Sequence, residues 1–327
     1  MLFLHLFNDS RNFDLCVNYV SIGGIPLVNL LTRACYPVPF FLIISGYGLH
    51  ASSPSFRRQL IRVAKLYLCY WVTLLVFVSV GSYVRPEKYP GSWVKVILNV
   101  LGYRFTYNDE TWFLLPYALN ALASGFYFRL LKRYGRKVVL ALSFVISTVS
   151  AFMTSFYGND MIPKPVYELC LVFNLMFAFM VGAVLHDVHA RGCGNGLFGR
   201  LYKRLSPLFE GRSSWFYIMI LVLLIVLKII VRTNLIDGFY ALAFIVVFLK
   251  IKRPEALNAT LAEIGSKSMV MWLIHTYFCY YLFHDWIYGF RYPLLIFAIM
   301  LLLTYLASIL IMFITKKIYR LLSLEQG

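Results

Sequence analysis

The sequence predicts an all-α fold, a polytopic bundle of transmembrane helices that crosses a lipid bilayer about nine or ten times. Composition gives the first reason: 61% of the 327 residues are hydrophobic, and mean hydropathy is +0.73. Charge gives the second, since only 14% of residues are charged, whereas a soluble domain carries roughly a quarter. The third is that apolar runs recur along the whole chain. Residues 1–327 are therefore expected to form a single transmembrane domain, although length alone would suggest two soluble ones. The net charge of +17 does not point to nucleic acid. The basic residues lie in short loops between apolar runs, where they act as topology signals and favour anionic lipid head groups.

A membrane helix needs about 20 mostly apolar residues. Such runs lie at 33–51, 66–84, 111–131, 138–157, 167–187, 214–232, 234–249, 267–284 and 293–314. The pair within 214–249 is parted by a few polar residues and should form a tight helical hairpin. The stretch 93–105 is too short and too charged to span, and is expected to lie in the interface. Residues 1–8 are apolar but too short to cross, and read as the end of a first span whose beginning is absent. Loops on alternate sides differ in charge. Arginine and lysine concentrate at 57–65, 129–137, 191–212, 250–267 and 316–320, which assigns these loops and the C-terminus to the cytoplasm. His5, the 85–110 loop and Trp112 then fall toward the outer face.

Ionisable groups inside a membrane are costly, which makes them functional candidates. All fourteen acids lie in loops or near helix ends, which argues against a carboxylate relay through mid-membrane. His5 and His275 remain, with Lys228 near enough to a helix end to snorkel. A neutral imidazole can remove a proton from a hydroxyl at neutral pH; the plainer reading of either histidine is an interfacial or interhelical hydrogen bond. His50, His186, His189 and His284 sit at span ends and are expected to be solvated. In the segment from Pro37 to Tyr47, Ser45-Gly46 reads first as a close helix approach. Arg58 and Arg62 are four apart and share a helix face with Arg57 nearby; guanidinium groups suit phosphate, though a positive-inside cluster needs no ligand. The six cysteines, Cys16, Cys35, Cys69, Cys170, Cys193 and Cys279, form no CxxC pair and read as small buried hydrophobes. No metal ligand set is expected. Gly194-Asn195-Gly196-Leu197-Phe198-Gly199 matches a dinucleotide fingerprint only in letters, because no βαβ unit surrounds it.

In chain order, five motifs resemble the acyltransferase 3 family of integral membrane O-acyltransferases. They are Leu4-His5-Leu6-Phe7, Pro39-Phe40-Phe41-Leu42-Ile43-Ile44-Ser45-Gly46-Tyr47, Arg57-Arg58-Gln59-Leu60-Ile61-Arg62 with Tyr67, Thr111-Trp112-Phe113-Leu114, and Ser268-Met269-Val270-Met271-Trp272-Leu273-Ile274-His275. The family usually carries an arginine about ten residues before the first histidine, a position this sequence begins too late to include. The resemblance implies a multi-pass protein of the bacterial cell membrane. It would move an acyl group, usually acetyl, from cytoplasmic acetyl-CoA to a hydroxyl of an extracytoplasmic or membrane-associated glycan. Acetyl-CoA would be substrate and no cofactor would be resident. The resemblance further implies His5 as general base and His275 as a second catalytic residue that positions the thioester or stabilises its oxyanion. Arg57, Arg58, Arg62 and Tyr67 would meet the donor's phosphates, with Ser45, Gly46 and Tyr47 along its pantetheine arm. Trp112 and Asn8 would meet the acceptor. Direct transfer and an acetyl-histidine intermediate both remain open. The rival reading is a non-enzymatic carrier that exports a glycan or another solute, and it predicts a polar path through spans that are poor in polar groups.

Overall fold

Backbone N–H and C=O groups find no water in a bilayer core, so apolar segments must close their hydrogen bonds within themselves as helices. The computed structural model follows that rule. It describes residues 1–161, 164–192, 204, 207 and 209–322, and these are overwhelmingly helical. The strands among the described residues are one antiparallel pair of two residues each, β1 (Ser21–Ile22) and β2 (Ile25–Pro26). The all-α expectation holds. Cys193, Arg200, Lys203 and the glycine-rich segment 194–199 lie outside the described residues.

The helices in chain order are α1 (Leu2–Phe7), α2 (Ser10–Phe13), α3 (Leu27–Thr32), α4 (Val38–Ser52), α5 (Phe56–Val84), α6 (Trp93–Val100), α7 (Leu114–Met161), α8 (Lys164–Arg191), α9 (Ser214–Ile230), α10 (Asp237–Lys250), α11 (Glu255–Thr276), α12 (His284–Tyr288) and α13 (Pro293–Leu321). Among the described residues, four helical runs are long and apolar enough to cross a membrane: Phe56–Val84, Asp109–Gly158, Lys164–Arg191 and Pro293–Leu321. The second of these covers two expected spans, 111–131 and 138–157. Gly135 breaks it with φ 80° and ψ 168°, a backbone conformation that favours glycine. Val38–Ser52 and Ser214–Ile230 are apolar but shorter. The expected span 267–284 differs most. Its helix begins at Glu255, after Pro254, and ends at Thr276, where Tyr277–Tyr281 form a π-turn. Hydropathy runs on unbroken through that ending and does not report it. The stretch 93–105 does contain a short helix, α6, capped by Ser92 Oγ, which accepts from Lys95 N at 3.3 Å.

The chain divides into two compact units. One comprises Met1–Tyr36, Leu60–Leu115 and Arg253–Gly327, the other Pro37–Gln59 and Pro116–Lys252. In the first, α1 packs against α3, α11 and α13. Leu6, Phe7, Met271, Cys279, Ile287, Ile296 and Met300 form its buried core. The 85–110 loop is held to this unit by polar groups. Tyr70 Oη donates to Asn99 O and Tyr89 Oη to Tyr107 O, each at 2.8 Å, while Asn99 Oδ1 accepts from Tyr107 N at 3.2 Å.

The second unit depends on two glycines. A Cβ built on Gly46 of α4 would lie 1.9 Å from Phe179 O on α8, and one built on Gly182 of α8 would lie 2.0 Å from Ile43 O. The two backbones are therefore in contact, the close approach that small residues permit between membrane helices. α9 and α10 form the expected hairpin. Lys228 does not snorkel. Its Nζ meets Asp237 Oδ1 at 2.7 Å and donates to Thr233 O at 3.0 Å, with both charged side chains buried. An isolated buried ammonium costs several kcal/mol, and the nearby carboxylate offers a partner within reach.

Gly46→Val should destabilise the protein by about 3 kcal/mol or more, because backbone rather than a flexible side chain blocks the new atoms. Gly48 faces open space, so Gly48→Ala should be neutral or stabilising by about 0.5–1 kcal/mol. Thermal unfolding of the two variants in detergent checks the contrast.

Candidate active site

The first unit brings its two singled-out histidines together across most of the chain. His5 lies in α1 and is buried; His275 is the penultimate residue of α11 and is fully buried. Their ring centroids are 4.9 Å apart at 55°. His5 Nε2 stands 3.7 Å from Glu110 Oε2, and its Nδ1 is 3.4 Å from Tyr280 Oη. Tyr280 Oη donates to Asn8 Oδ1 at 2.9 Å, which leaves its oxygen lone pairs toward Nδ1. A proton on Nδ1 can therefore be donated to Tyr280 Oη, and in that tautomer the basic nitrogen is Nε2, the one nearer Glu110. When Nε2 gains a proton, Glu110 becomes the counterion of the imidazolium.

His275 is fixed differently. Its Nδ1 is 2.6 Å from Trp272 O, so Nδ1–H donates there and Nε2 carries a lone pair. Among the described residues Nε2 has no hydrogen-bond partner. In this tautomer Nε2 accepts rather than donates, so neutral His275 does not have the N–H that an oxyanion requires.

Glu110, Tyr280 and Asn8 open onto a cleft of about 580 Å³, completed by Asp9, Arg11, Asn12, Arg85, Asp109, Tyr281, His284 and Asp285. Its lining residues are polar or charged, with amides, phenols and charges of both signs, a set that suits a ligand rich in hydroxyls. Arg11 holds the Asp9 carboxyl below the usual carboxylate range, and His284 does the same for Asp285 through a 2.9 Å bond. His284 is not simply solvated, because its Nε2 also meets Asn12 Oδ1 at 3.1 Å. Asn12 Nδ2 in turn donates to the His5 carbonyl at 3.2 Å, tying the cleft wall to the histidine's own backbone.

The π-turn places these groups. Where α11 ends, the Leu273 carbonyl loses its usual helical donor and accepts from Asn108 Nδ2 at 3.0 Å. Thr276 Oγ1 donates to Asn108 Oδ1 at 2.6 Å. The turn then directs Tyr280 to His5, and Tyr281 Oη accepts from Asp109 N at 3.1 Å. Trp272 Nε1 donates to Glu110 O at 3.3 Å. The carboxylate and both histidines are thus tied to one helix ending.

The other expected site residues are distributed as follows. Trp112 is half-buried with its ring near Phe113, at 6.1 Å between centroids, and is not among the residues lining the cleft. Arg57, Arg58 and Arg62 are exposed in the first two turns of α5, and Tyr67 lies further along it, half-buried. Arg57 and Arg58 belong to the second unit, Arg62 and Tyr67 to the first. In the second unit Ser45 Oγ and Tyr117 Oη are 3.0 Å apart. Gly46 is occupied by the contact with α8, and Tyr47 Oη meets His189 Nδ1 at 2.5 Å. His50 and His186, expected at solvated ends, face each other with Nδ1 atoms 2.7 Å apart. Among the described residues no group of three or more His, Cys, Asp or Glu side chains is arranged to hold a metal ion. Glu110, Asp109, Tyr280, Arg85, His284 and Asp285 were not singled out by the motifs. The adjacent acids Asp109-Glu110 just before Thr111-Trp112-Phe113 were the available signal for two of them.

A family model described as an acyltransferase domain matches residues 7–313, and the chain belongs to that family, acyltransferase 3. It is a multi-pass integral membrane protein and a transferase of acyl groups. The match begins two residues after His5, so the claim of that histidine rests on the geometry above. No curated protein matches the chain. No solved structure matches it either.

Asn108→Ala should cost about 1–3 kcal/mol, because it strands the Leu273 carbonyl and the Thr276 hydroxyl in a buried setting. It should also lower acyl transfer although Asn108 does not line the cleft. Thermal unfolding and a transfer assay on the same preparation check both.

Proposed function

We propose that this protein is a membrane O-acetyltransferase that takes an acetyl group from cytoplasmic acetyl-CoA and places it on a hydroxyl of an extracytoplasmic or membrane-associated glycan. The single observation that carries the reading is the buried His5, with Nε2 turned to Glu110 beneath a polar cleft. His5 is the general base. Nε2 takes the proton of the acceptor hydroxyl as its oxygen forms a bond to the thioester carbonyl carbon. The C–S bond then breaks, and the proton passes from Nε2 to the departing thiolate sulfur, which restores neutral His5. Glu110 stabilises the imidazolium between these steps. Tyr280 Oη accepts from Nδ1–H in the tautomer that leaves Nε2 to take the proton. His275, packed against the His5 ring and fixed by the Trp272 carbonyl, positions it.

The acceptor lies in the cleft among Asn8, Asn12, Asp109 and Tyr281, whose amides, carboxylate and phenol match sugar hydroxyls. The exposed arginines at the start of α5, Arg57, Arg58 and Arg62, meet the donor on the cytoplasmic side, as the charge bias of the loops assigns it. Direct transfer is favoured over an acetyl-histidine, since the carboxylate beside Nε2 suits a protonated ring better than an acylated one.

His5→Ala should lower acetylation of the cell's surface glycan by about a hundred- to ten-thousandfold, with the protein still present in the membrane at wild-type level. Normal acetylation in that strain contradicts the assignment. A glycan that is retained inside a deletion strain, rather than exported without acetyl groups, would favour a carrier.

A further inference from the structure

The helix that carries His5 is held at its end by side chains. The C-terminal carbonyls of a helix lack internal donors, and in α1 three of them are filled from elsewhere in the first unit. Asn12 Nδ2 donates to His5 O at 3.2 Å, Tyr288 Oη to Leu6 O at 2.8 Å and Asn29 Nδ2 to Phe7 O at 2.9 Å. His284, the first residue of α12, touches two of these three donors. Its Nε2 meets Asn12 Oδ1 at 3.1 Å, and its ring packs on that of Tyr288 with centroids 4.7 Å apart. Its Nδ1 meets Asp285 Oδ1 at 2.9 Å.

Both ring nitrogens of His284 therefore face oxygens that accept. The side chain of Asp285 is almost fully exposed, so its oxygen belongs to a carboxylate. Turning the Asn12 amide over would set its oxygen against the His5 carbonyl, so Oδ1 is the atom that faces the imidazole. A neutral imidazole donates from one nitrogen only, and an imidazolium donates from both. The other groups around the ring leave that balance in place. Asp9 and Arg11 of the α2 end are paired with each other, and Arg85, Asp109, Glu110 and the phenols of Tyr280 and Tyr281 complete the cleft.

We propose that His284 is a positioning residue held as the imidazolium, which donates to Asn12 and Asp285 at once and so fixes the end of the His5 helix. It rests on the reading that His5 is the base. Asp285 is the counterion of the ring. Without its second N–H, Nε2 would set a lone pair against Asn12 Oδ1, and the amide would lose its hold on the His5 carbonyl. His5 Nε2 would then be less well placed for the acceptor hydroxyl, a loss felt in the chemical step rather than in binding.

Solid-state nitrogen-15 NMR of the full-length protein, labelled at histidine and reconstituted in lipid, tests this together with kinetics on the same preparations. The signal that disappears in His284→Gln should show both ring nitrogens protonated at pH 7. In Asp285→Asn that ring should lose its proton at lower pH than in the wild type, because the carboxylate that favours the charged form is gone. This second comparison identifies the His284 signal even if His284→Gln fails to fold. Folded His284→Gln should lower kcat by about tenfold and leave KM within about twofold. A His284 ring with one bare nitrogen at pH 7 overturns the proposal, as does a raised KM at unchanged kcat, which would make His284 an acceptor contact instead. Full activity in His5→Ala would sink the base and leave the protonation of His284 to be read on its own, since the NMR signal does not depend on turnover.

Discussion

The ending of α11 at Thr276 is the constraint on which the first unit depends. A helix that continued would satisfy the Leu273 carbonyl internally and carry Tyr280 past the histidines. Because it turns into a π-turn instead, Asn108 fills the carbonyl and binds Thr276 with its other end. One buried amide therefore connects the loop that carries Glu110 to the helix that carries His275. π-Turns are often found at functional sites because they redirect side chains within one turn. Here the redirected side chains are Tyr280, beside His5, and Tyr281, beside Asp109.

That arrangement divides the work of two neighbouring imidazoles. Each is fixed by the partner of its Nδ1, a phenol for His5 and a backbone carbonyl for His275. Only His5 has a carboxylate at its other nitrogen. The ring that gains a proton is consequently the one with a counterion waiting, and the other serves as packing of fixed orientation. In the second unit the decisive contact is between backbones rather than side chains. Gly46 and Gly182 let α4 and α8 touch, and the C-terminal ends of these two helices contribute His50, Asp187 and Arg191 to a basic cavity.

The fold class was legible in the sequence because it depends on composition and on apolar runs of membrane length. His5 and His275 stood out for a related reason, as rare polar groups in apolar surroundings. Their juxtaposition could not be read, since periodicity is local and 270 residues of sequence carry no sign of a 4.9 Å contact. Glu110 escaped notice because acids at helix ends are ordinary on hydropathy grounds. Lys228 was read as snorkelling, since its partner Asp237 lies beyond the intervening turn. Gly46 was different: Ser-Gly within an apolar helix already suggested close approach, and the contact with Phe179 is of that kind. The break at Gly135 was divided into two spans by the charged residues 132–137, but their convergence on one cavity needed the backbone.

The central claim is that His5 acts as a base whose protonated form is held by Glu110, and the pH profile of kcat/KM tests it most directly. Activity requires a neutral ring, so the rate should fall on the acid side as the imidazole gains its proton. A carboxylate favours the protonated ring, so its removal must make protonation harder. In Glu110→Gln the acid limb should therefore move to lower pH by about one unit, with a lower plateau because the imidazolium formed during reaction has lost its counterion. An acid limb at the same pH in wild type and Glu110→Gln would contradict the account.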